Sequence, residues 1–263
     1  MGSSTRRLRL AHLYPEAMDL YGDMGNVIAI KRRCEWRDVD VDVVEVRVGQ
    51  PADLAGCDLL VMGGGQDSAQ VHVSEDLVRR GTEIRRLLDE GAAALLVCGG
   101  FQLFGLDYTT ASGETMPGVG VFDAHTYADA KRIVGNVMIE ATLQRWGAAH
   151  PQAPLTLVGF ENHSGRTVLG EGARPFGRVV CGAGNTGDGS VEGAVYRNAI
   201  GTYLHGPLLP KNPKLADHLI VAALAHRYGS PEPLAELDDA IEMRAHHTAV
   251  AQCAAAGVAG FGH

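Results

Sequence analysis

The chain has few of the residues that mark several protein classes. Aromatic residues make up only 6% of its 263 residues, with two tryptophans. The five cysteines (Cys34, Cys57, Cys98, Cys181 and Cys253) are odd in number and scattered, with no C-x-x-C pair. Neither a disulfide framework nor a zinc knuckle is expected from that usage, which fits a reducing cytoplasm. No stretch approaches the roughly 18 apolar residues of a transmembrane helix. Met1–Leu10 carries arginines but no apolar segment after them, so it does not read as a signal peptide. Arg6 stands where a myristoylation signal wants Ser or Thr. Basic charge is scarce, with 23 Lys and Arg against 31 Asp and Glu and a net charge of −8. That balance argues against nucleic acid or an anionic membrane as the main partner. There is no P-loop, and no two of the eleven histidines have the H-x-x-x-H or H-E-x-x-H spacing of a metal site.

What remains is ordinary globular material, 46% hydrophobic and 21% charged. Length allows one large α/β domain or two small ones. No interior linker or repeat is visible, so residues 1–250 read as one domain. Ala251–His263, mostly Ala and Gly, reads as a frayed tail.

Periodicity gives the first half a β-α-β-β-α-β-α order. Leu8–Tyr14 is a strand, Asn26–Trp36 an amphipathic helix, and Val39–Val48 a strand with one wet face. Cys57–Met62 and Ala93–Val97 are short and wholly apolar, as suits central parallel strands buried on both faces. Ser74–Glu90 opens on an N-cap with acids in its first turn and reads as a helix. The fold class is therefore α/β, an open and largely parallel doubly wound (flavodoxin-like) sheet. The second half adds strand-like runs that suggest antiparallel structure: Gly118–Tyr127, Arg132–Glu140, Leu155–Phe160, Arg178–Cys181 and Val191–Gly201. Helices follow at Pro213–Tyr228 and Leu234–His247.

In such sheets the site lies outside the carboxyl ends of the strands. Cys98 is there, after the strand Ala93–Val97 and before Gly99-Gly100 and a short apolar helix. A cysteine on a tight strand-to-helix turn stands clear of the sheet. The helix directs its free N–H groups and positive end at the sulfur, which favours the reactive thiolate. Gly63-Gly64-Gly65 ends the neighbouring strand and offers backbone N–H groups to an oxyanion, together with Gly99. A cysteine nucleophile needs a base. His205, at a strand end before Gly206-Pro207, is preferred, with His163 as its competitor.

These pieces together resemble a known family. Val97–Gly105, Met62–Asp67 and Tyr203–Pro213 are similar to class I glutamine amidotransferases of the cobyric-acid-synthase-like branch. Tyr21–Asn26 and Gly159–Thr167 sharpen the match toward the GatD group, the glutaminase subunits of lipid II isoglutaminyl synthases. The resemblance covers about residues 8 to 230. It implies that Cys98 attacks the side-chain amide of glutamine to form a thioester, with His205 activating thiol and water. Arg132, in Lys131–Asn136, implies a grip on the substrate carboxylate. The expected substrate-binding set is Arg132, Gly64, Gly65, Gly99 and Gln102. Ammonia is expected to pass to a Mur-ligase-like partner (MurT) in a heterodimer. That partner, holding ATP and Mg, would amidate D-glutamate of the lipid II stem peptide to D-isoglutamine. No cofactor or metal is expected in this chain.

Many glutaminases place a Glu two residues after the His, and here that position is Pro207. The third member of a triad is either missing or supplied elsewhere, for example by Glu161 or Asp19. With no P-loop synthetase segment in front, a self-contained cobyric acid synthase is not expected. Two rival readings stand beside this one. The first is a glutaminase subunit serving another amide acceptor. The second is a non-catalytic module that keeps the Gly-rich sheet edge and has no need of Cys98 with His205.

Overall fold

The fold comes from a computed structural model, which describes residues 6–20, 22–141, 143, 154–230 and 233–259. The first half runs β1 (Arg6–Leu13), α1 (Met24–Glu35), β2 (Val39–Val46), β3 (Leu59–Met62), α2 (Asp67–Glu90), β4 (Ala93–Val97) and α3 (Gly99–Leu103). Its strands pair in parallel in the order β2-β1-β3-β4. β3 and β4 are buried along their whole length, as their unbroken apolar sequence requires, while the alternating β2 forms the half-wet edge.

The second half adds β5 (Asp107–Thr109), β6 (Thr115–Pro117), β7 (Ala124–Ala141), β8 (Leu155–Leu169), β9 (Gly177–Cys181) and β10 (Val191–Glu192). It continues through β11 (Ala194–Tyr196), β12 (Ala199–Thr202), α4 (Pro213–Tyr228) and α5 (Ala240–Ala259). β12 returns to the main sheet and lies parallel to β4, with β11 antiparallel at its edge. The parallel core thus has the 2-1-3-4-5 order of doubly wound flavodoxin-like sheets, with β12 as the fifth strand. β5–β10 form a second, mostly antiparallel sheet in which β7 and β8 are the long members.

Several boundaries differ from those expected. α2 begins at Asp67, not Ser74, one residue after the glycine run, with Gln66 as its N-cap. Gly118–Tyr127 is strand only from Ala124, and β7 then runs on through the Arg132–Glu140 run as one strand with a bulge between Ala128 and Ile133. β8 extends to Leu169, so His163 sits in a strand. Val191–Gly201 divides into three short strands because Gly193 and Arg197 take positive φ values of 65° and 50°.

The expected tail is also corrected. α5 carries residues 251–259 as helix, and only 260–263 lie outside the described residues. Alanine is the strongest helix former, and Cys253 is buried, so the segment has both propensity and a packing anchor. Cys253 is bonded to Cys181 at the end of β9, which the scattered cysteine spacing did not suggest. Cys34, Cys57 and Cys98 are free thiols. Burial pushes Cys34 up to about 12 and Cys57 up to about 11, so both are inert at neutral pH. Among the described residues no helix is long and apolar enough to cross a membrane.

Candidate active site

Cys98 occupies the one-residue corner between β4 and α3, with φ 53° and ψ −105°. A side chain there is strained, and the surroundings hold it in place. Its N–H donates to Thr202 O at 2.8 Å, and Gly100 N–H donates to Gly63 O at 3.1 Å. A Cβ on Gly100 would come 2.8 Å from Met62 O, so the turn after the cysteine needs glycine to pass the end of β3.

β12 brings His205 to the same edge. Its backbone exchanges two hydrogen bonds with Phe160 of β8, at 2.9 and 3.1 Å, and its ring is fully buried. The segment before it is pinned by the buried Glu192 carboxyl group, which burial raises to about 8 and which accepts from Thr202 Oγ1 and Tyr203 N–H. Gly64 lies between the catalytic candidates. A Cβ on it would stand 3.1 Å from His205 Cε1 and 3.2 Å from Cys98 Cβ.

The carboxylate beside His205 is Asp23, with Oδ1 3.5 Å from Nδ1. Neither candidate named from the sequence holds that place. Asp19 Oδ1 accepts Met24 N–H at 2.5 Å at the start of α1. Glu161 accepts Ala183 and Gly184 N–H at 2.7 and 3.1 Å. Asp23 stands at the N-cap of α1 yet makes no side-chain cap bond, because Asp19 serves that end. Asp23 Oδ2 instead accepts Gly64 N–H at 2.8 Å. Pro207, in the usual glutamate position, packs against Gly25, where a Cβ would meet its ring at 2.5 Å. That close contact lays the His205 loop on the first turn of α1, next to Asp23. Two aspartates four residues apart gave no sign of which one capped the helix.

Burial alone would lower the His205 pKa. The Cys98 sulfur and the Asp23 carboxylate outweigh it and raise the ring to about 10. The His205 ring, held between the Cys98 sulfur and Asp23, therefore rests as the imidazolium at neutral pH. Its contribution to stability is fully present below about pH 6.5 and is lost as pH rises through about 10. His163 behaves in the opposite way. It is stacked on the Tyr203 ring at 3.7 Å, shares Nδ1 with Gly165 O at 2.8 Å, and is lowered by burial to about 3. It is a weak base and, unlike His205, is not held by Cys98 and Asp23.

The oxyanion donors need one correction. Gly64 N–H is committed to Asp23 and is not free for a ligand. Among the described residues, Gly65 and Gly99 N–H have no protein acceptor. They lie together, since a Cβ on Gly99 would fall 3.0 Å from Gly65 N. Gly65 and Gly99 N–H are thus the candidate oxyanion donors beside Cys98, and Gly64 N–H is held by Asp23 instead.

A cavity of about 510 Å³ opens in front of Cys98, lined by Gly65, Gln102, Arg132, Asn162 and His163 among others. Arg132 stands on its rim, with Nε donating to Asn162 Oδ1 at 2.5 Å. Gln102 is part of the floor, its amide engaged by Gln70 at 2.9 Å and Tyr203 at 3.1 Å. Among the described residues no cluster of three His, Cys, Asp or Glu side chains is arranged to hold a metal ion. The arrangement suits acyl transfer from an amide: nucleophile, paired base, oxyanion donors and a guanidinium for an anionic end group.

Comparison with known proteins agrees with this chemistry. A family profile described as the CobB/CobQ-like glutamine amidotransferase domain matches residues 9–213. The chain is 35% identical over 238 residues to the GatD subunit of the glutamine-hydrolysing lipid II isoglutaminyl synthase of Staphylococcus aureus (strain N315), covering 90% of this chain and 93% of that one. It is also 35% identical to the same subunit from Streptococcus pneumoniae (strain R6), covering 90% of this chain and 88% of that one. A chain in the structure of PurLQS from Thermotoga maritima shares the fold at a TM-score of 0.54 and 14% identity, covering 86% of this chain and 99% of that one.

Two substitutions test the geometry. Asp23→Asn keeps an acceptor for Gly64 but removes a charge that holds the His205 proton. The alkaline limb of glutamine hydrolysis, set by loss of the imidazolium, should then move to lower pH by about one unit or more. An unmoved limb in a pH–rate profile would separate Asp23 from the base. Gly99→Ala covers Gly65 N–H and should lower turnover by roughly 10²–10³-fold. Alkylation of Cys98 by iodoacetamide should stay near its normal rate, which distinguishes a lost oxyanion donor from a lost nucleophile.

Proposed function

The chain belongs to the CobB/CobQ-like glutamine amidotransferases, and from there we propose that it is the glutaminase subunit of a lipid II isoglutaminyl synthase. The observation that carries the chemistry is the strained Cys98 corner, with His205 and Asp23 on one side and Gly65 and Gly99 N–H on the other.

In this reading the Cys98 thiolate attacks the carboxamide carbon of glutamine. The carbonyl oxygen takes the negative charge between the two backbone donors. His205 then gives its proton to the departing nitrogen, ammonia leaves, and Cys98 holds a glutamyl thioester. Neutral His205 takes a proton from water, the hydroxide attacks the thioester, and glutamate departs as the thiolate and imidazolium reform. Arg132 grips the free α-carboxylate with its planar guanidinium.

Ammonia released to bulk water at neutral pH protonates to ammonium, which is not a nucleophile. A docked synthetase that receives it through a shielded path avoids that loss. The receiving subunit in this proposal is a Mur-ligase-like chain (MurT) that uses ATP and Mg to activate D-glutamate of the lipid II stem peptide. The product is D-isoglutamine. Support for this acceptor comes from the two GatD relatives, which this chain matches over nearly their whole length.

Cys98→Ala should remove glutamine hydrolysis without unfolding the protein. A glutamine-like affinity label should modify Cys98 and spare Cys34, Cys57, Cys181 and Cys253. Co-expressed with the synthetase, the chain should elute as a heterodimer that amidates lipid II at the expense of glutamine. Turnover by Cys98→Ala would contradict the nucleophile. Full hydrolysis by the lone chain, with no complex and no amidated product, would contradict the acceptor.

A further inference from the structure

The strand that carries Arg132 is not regular. β7 and β8 pair Ala128 with Gly165 and then Ile133 with His163. Between those pairs four residues of β7, 129–132, face the single residue Ser164 of β8. A bulge of this size removes ladder partners and bends the strand, so the ladder alone does not hold its backbone. Arg132 is the last residue of the bulge, so its position depends on whatever holds the bulge in shape.

One side chain does so. Arg166 of β8 is 5% exposed, and its guanidinium spans the gap. Nη2 donates to Lys131 O at 2.6 Å, on the residue next to Arg132. Nη1 donates to Ser164 O and Gly165 O at 3.1 and 3.2 Å, on the opposing strand. Nε lies 3.6 Å from the Asp129 carboxylate, which itself accepts Lys131 N–H at 2.8 Å. The planar fork thus replaces the missing ladder bonds with side-chain bonds to both strands, a task for which an ammonium lacks the reach and the donors. Beyond this staple, Arg132 is fixed at its head by Asn162, through the side-chain oxygen at 2.5 Å and the main-chain oxygen at 3.2 Å.

We propose that Arg166 is the positioning residue for Arg132: it staples the β7 bulge to β8 and so sets where Arg132 meets the α-carboxylate of glutamine. The inference rests on the reading above that Arg132 binds that carboxylate. Arg166 lies behind the bulge and acts only through its neighbour. Its loss changes recognition of the substrate and leaves the Cys98–His205 chemistry in place.

The test is steady-state glutaminase kinetics of the full chain with its co-expressed synthetase. Arg166→Lys keeps the charge and loses the fork. It should raise KM for glutamine roughly tenfold or more, within the about 10²-fold that an ångström-level misplacement can cost, with kcat changed by less than about twofold. In an Arg132→Ala background the same substitution should add nothing to KM. Asp129→Ala removes the exposed end of the staple without touching the core and should give a smaller KM rise that also vanishes beside Arg132→Ala. A readout independent of turnover is the rate of Cys98 modification. A chloroketone analogue of glutamine, which carries the carboxylate, should react more slowly with Arg166→Lys, while iodoacetamide, which lacks it, should not. An equal KM rise with and without Arg132, or slower reaction with both reagents, would overturn the proposal in favour of a general packing role. An unchanged KM in both Arg166→Lys and Asp129→Ala would overturn it as well. If Arg132→Ala itself left KM unaltered, the assignment of Arg132 would fall first and the proposal with it.

Discussion

The site depends on one carboxylate facing two ways. Asp23 Oδ2 accepts the N–H of Gly64, and Oδ1 faces the ring of His205. That carboxylate ties together three chain segments that meet only in the folded protein: the start of α1, the glycine run after β3, and the loop after β12. It is 2% exposed, in surroundings where an unpaired charge would be costly. The cost is offset because the carboxylate helps keep His205 protonated, and the imidazolium in turn faces the Cys98 sulfur. Asp19 makes this possible by taking over the helix cap that Asp23 would otherwise serve.

The two sheets divide the remaining work. The parallel sheet fixes the chemistry, since β3, β4 and β12 end side by side and deliver Gly65, Cys98 and His205. The mostly antiparallel sheet supplies the wall opposite, since β7 and β8 carry Arg132, Asn162 and His163 to the cavity. They meet at the backbone bridge between Phe160 and His205, so the base is held by both. Packing beneath the site is aromatic and tight: Phe101 meets Phe122 and Tyr203 edge-on at 5.5 and 5.4 Å.

How much of this could be read beforehand follows from where each signal lies. The Cys98 corner is local: an apolar run, a cysteine and two glycines suffice to predict strand, turn and helix. The parallel core was readable for the same reason, because β3 and β4 are unbroken apolar segments. Asp23 was hidden because the direction of its side chain is decided by Gly64 and His205, 41 and 182 residues away in sequence. The fate of the Gly64 N–H was hidden with it. The β7 bulge showed only as a gap between two strand-like runs, Gly118–Tyr127 and Arg132–Glu140, because the Arg166 bonds that bridge it come from the partner strand β8. The C-terminal helix was misread because Ala and Gly composition alone signals fraying, whereas Cys253 anchors the segment to Cys181.

The central claim is that His205 rests as an imidazolium, held by Asp23 and the Cys98 sulfur. Nitrogen-15 NMR of the His205 ring in the labelled protein measures this directly across a pH titration. The account predicts two protonated ring nitrogens through neutral pH, with loss of a proton only near pH 10. It further predicts a clear downward shift of that titration in Cys98→Ser, where the sulfur that raises it is gone. A neutral His205 ring at pH 8 in the unsubstituted protein would contradict it.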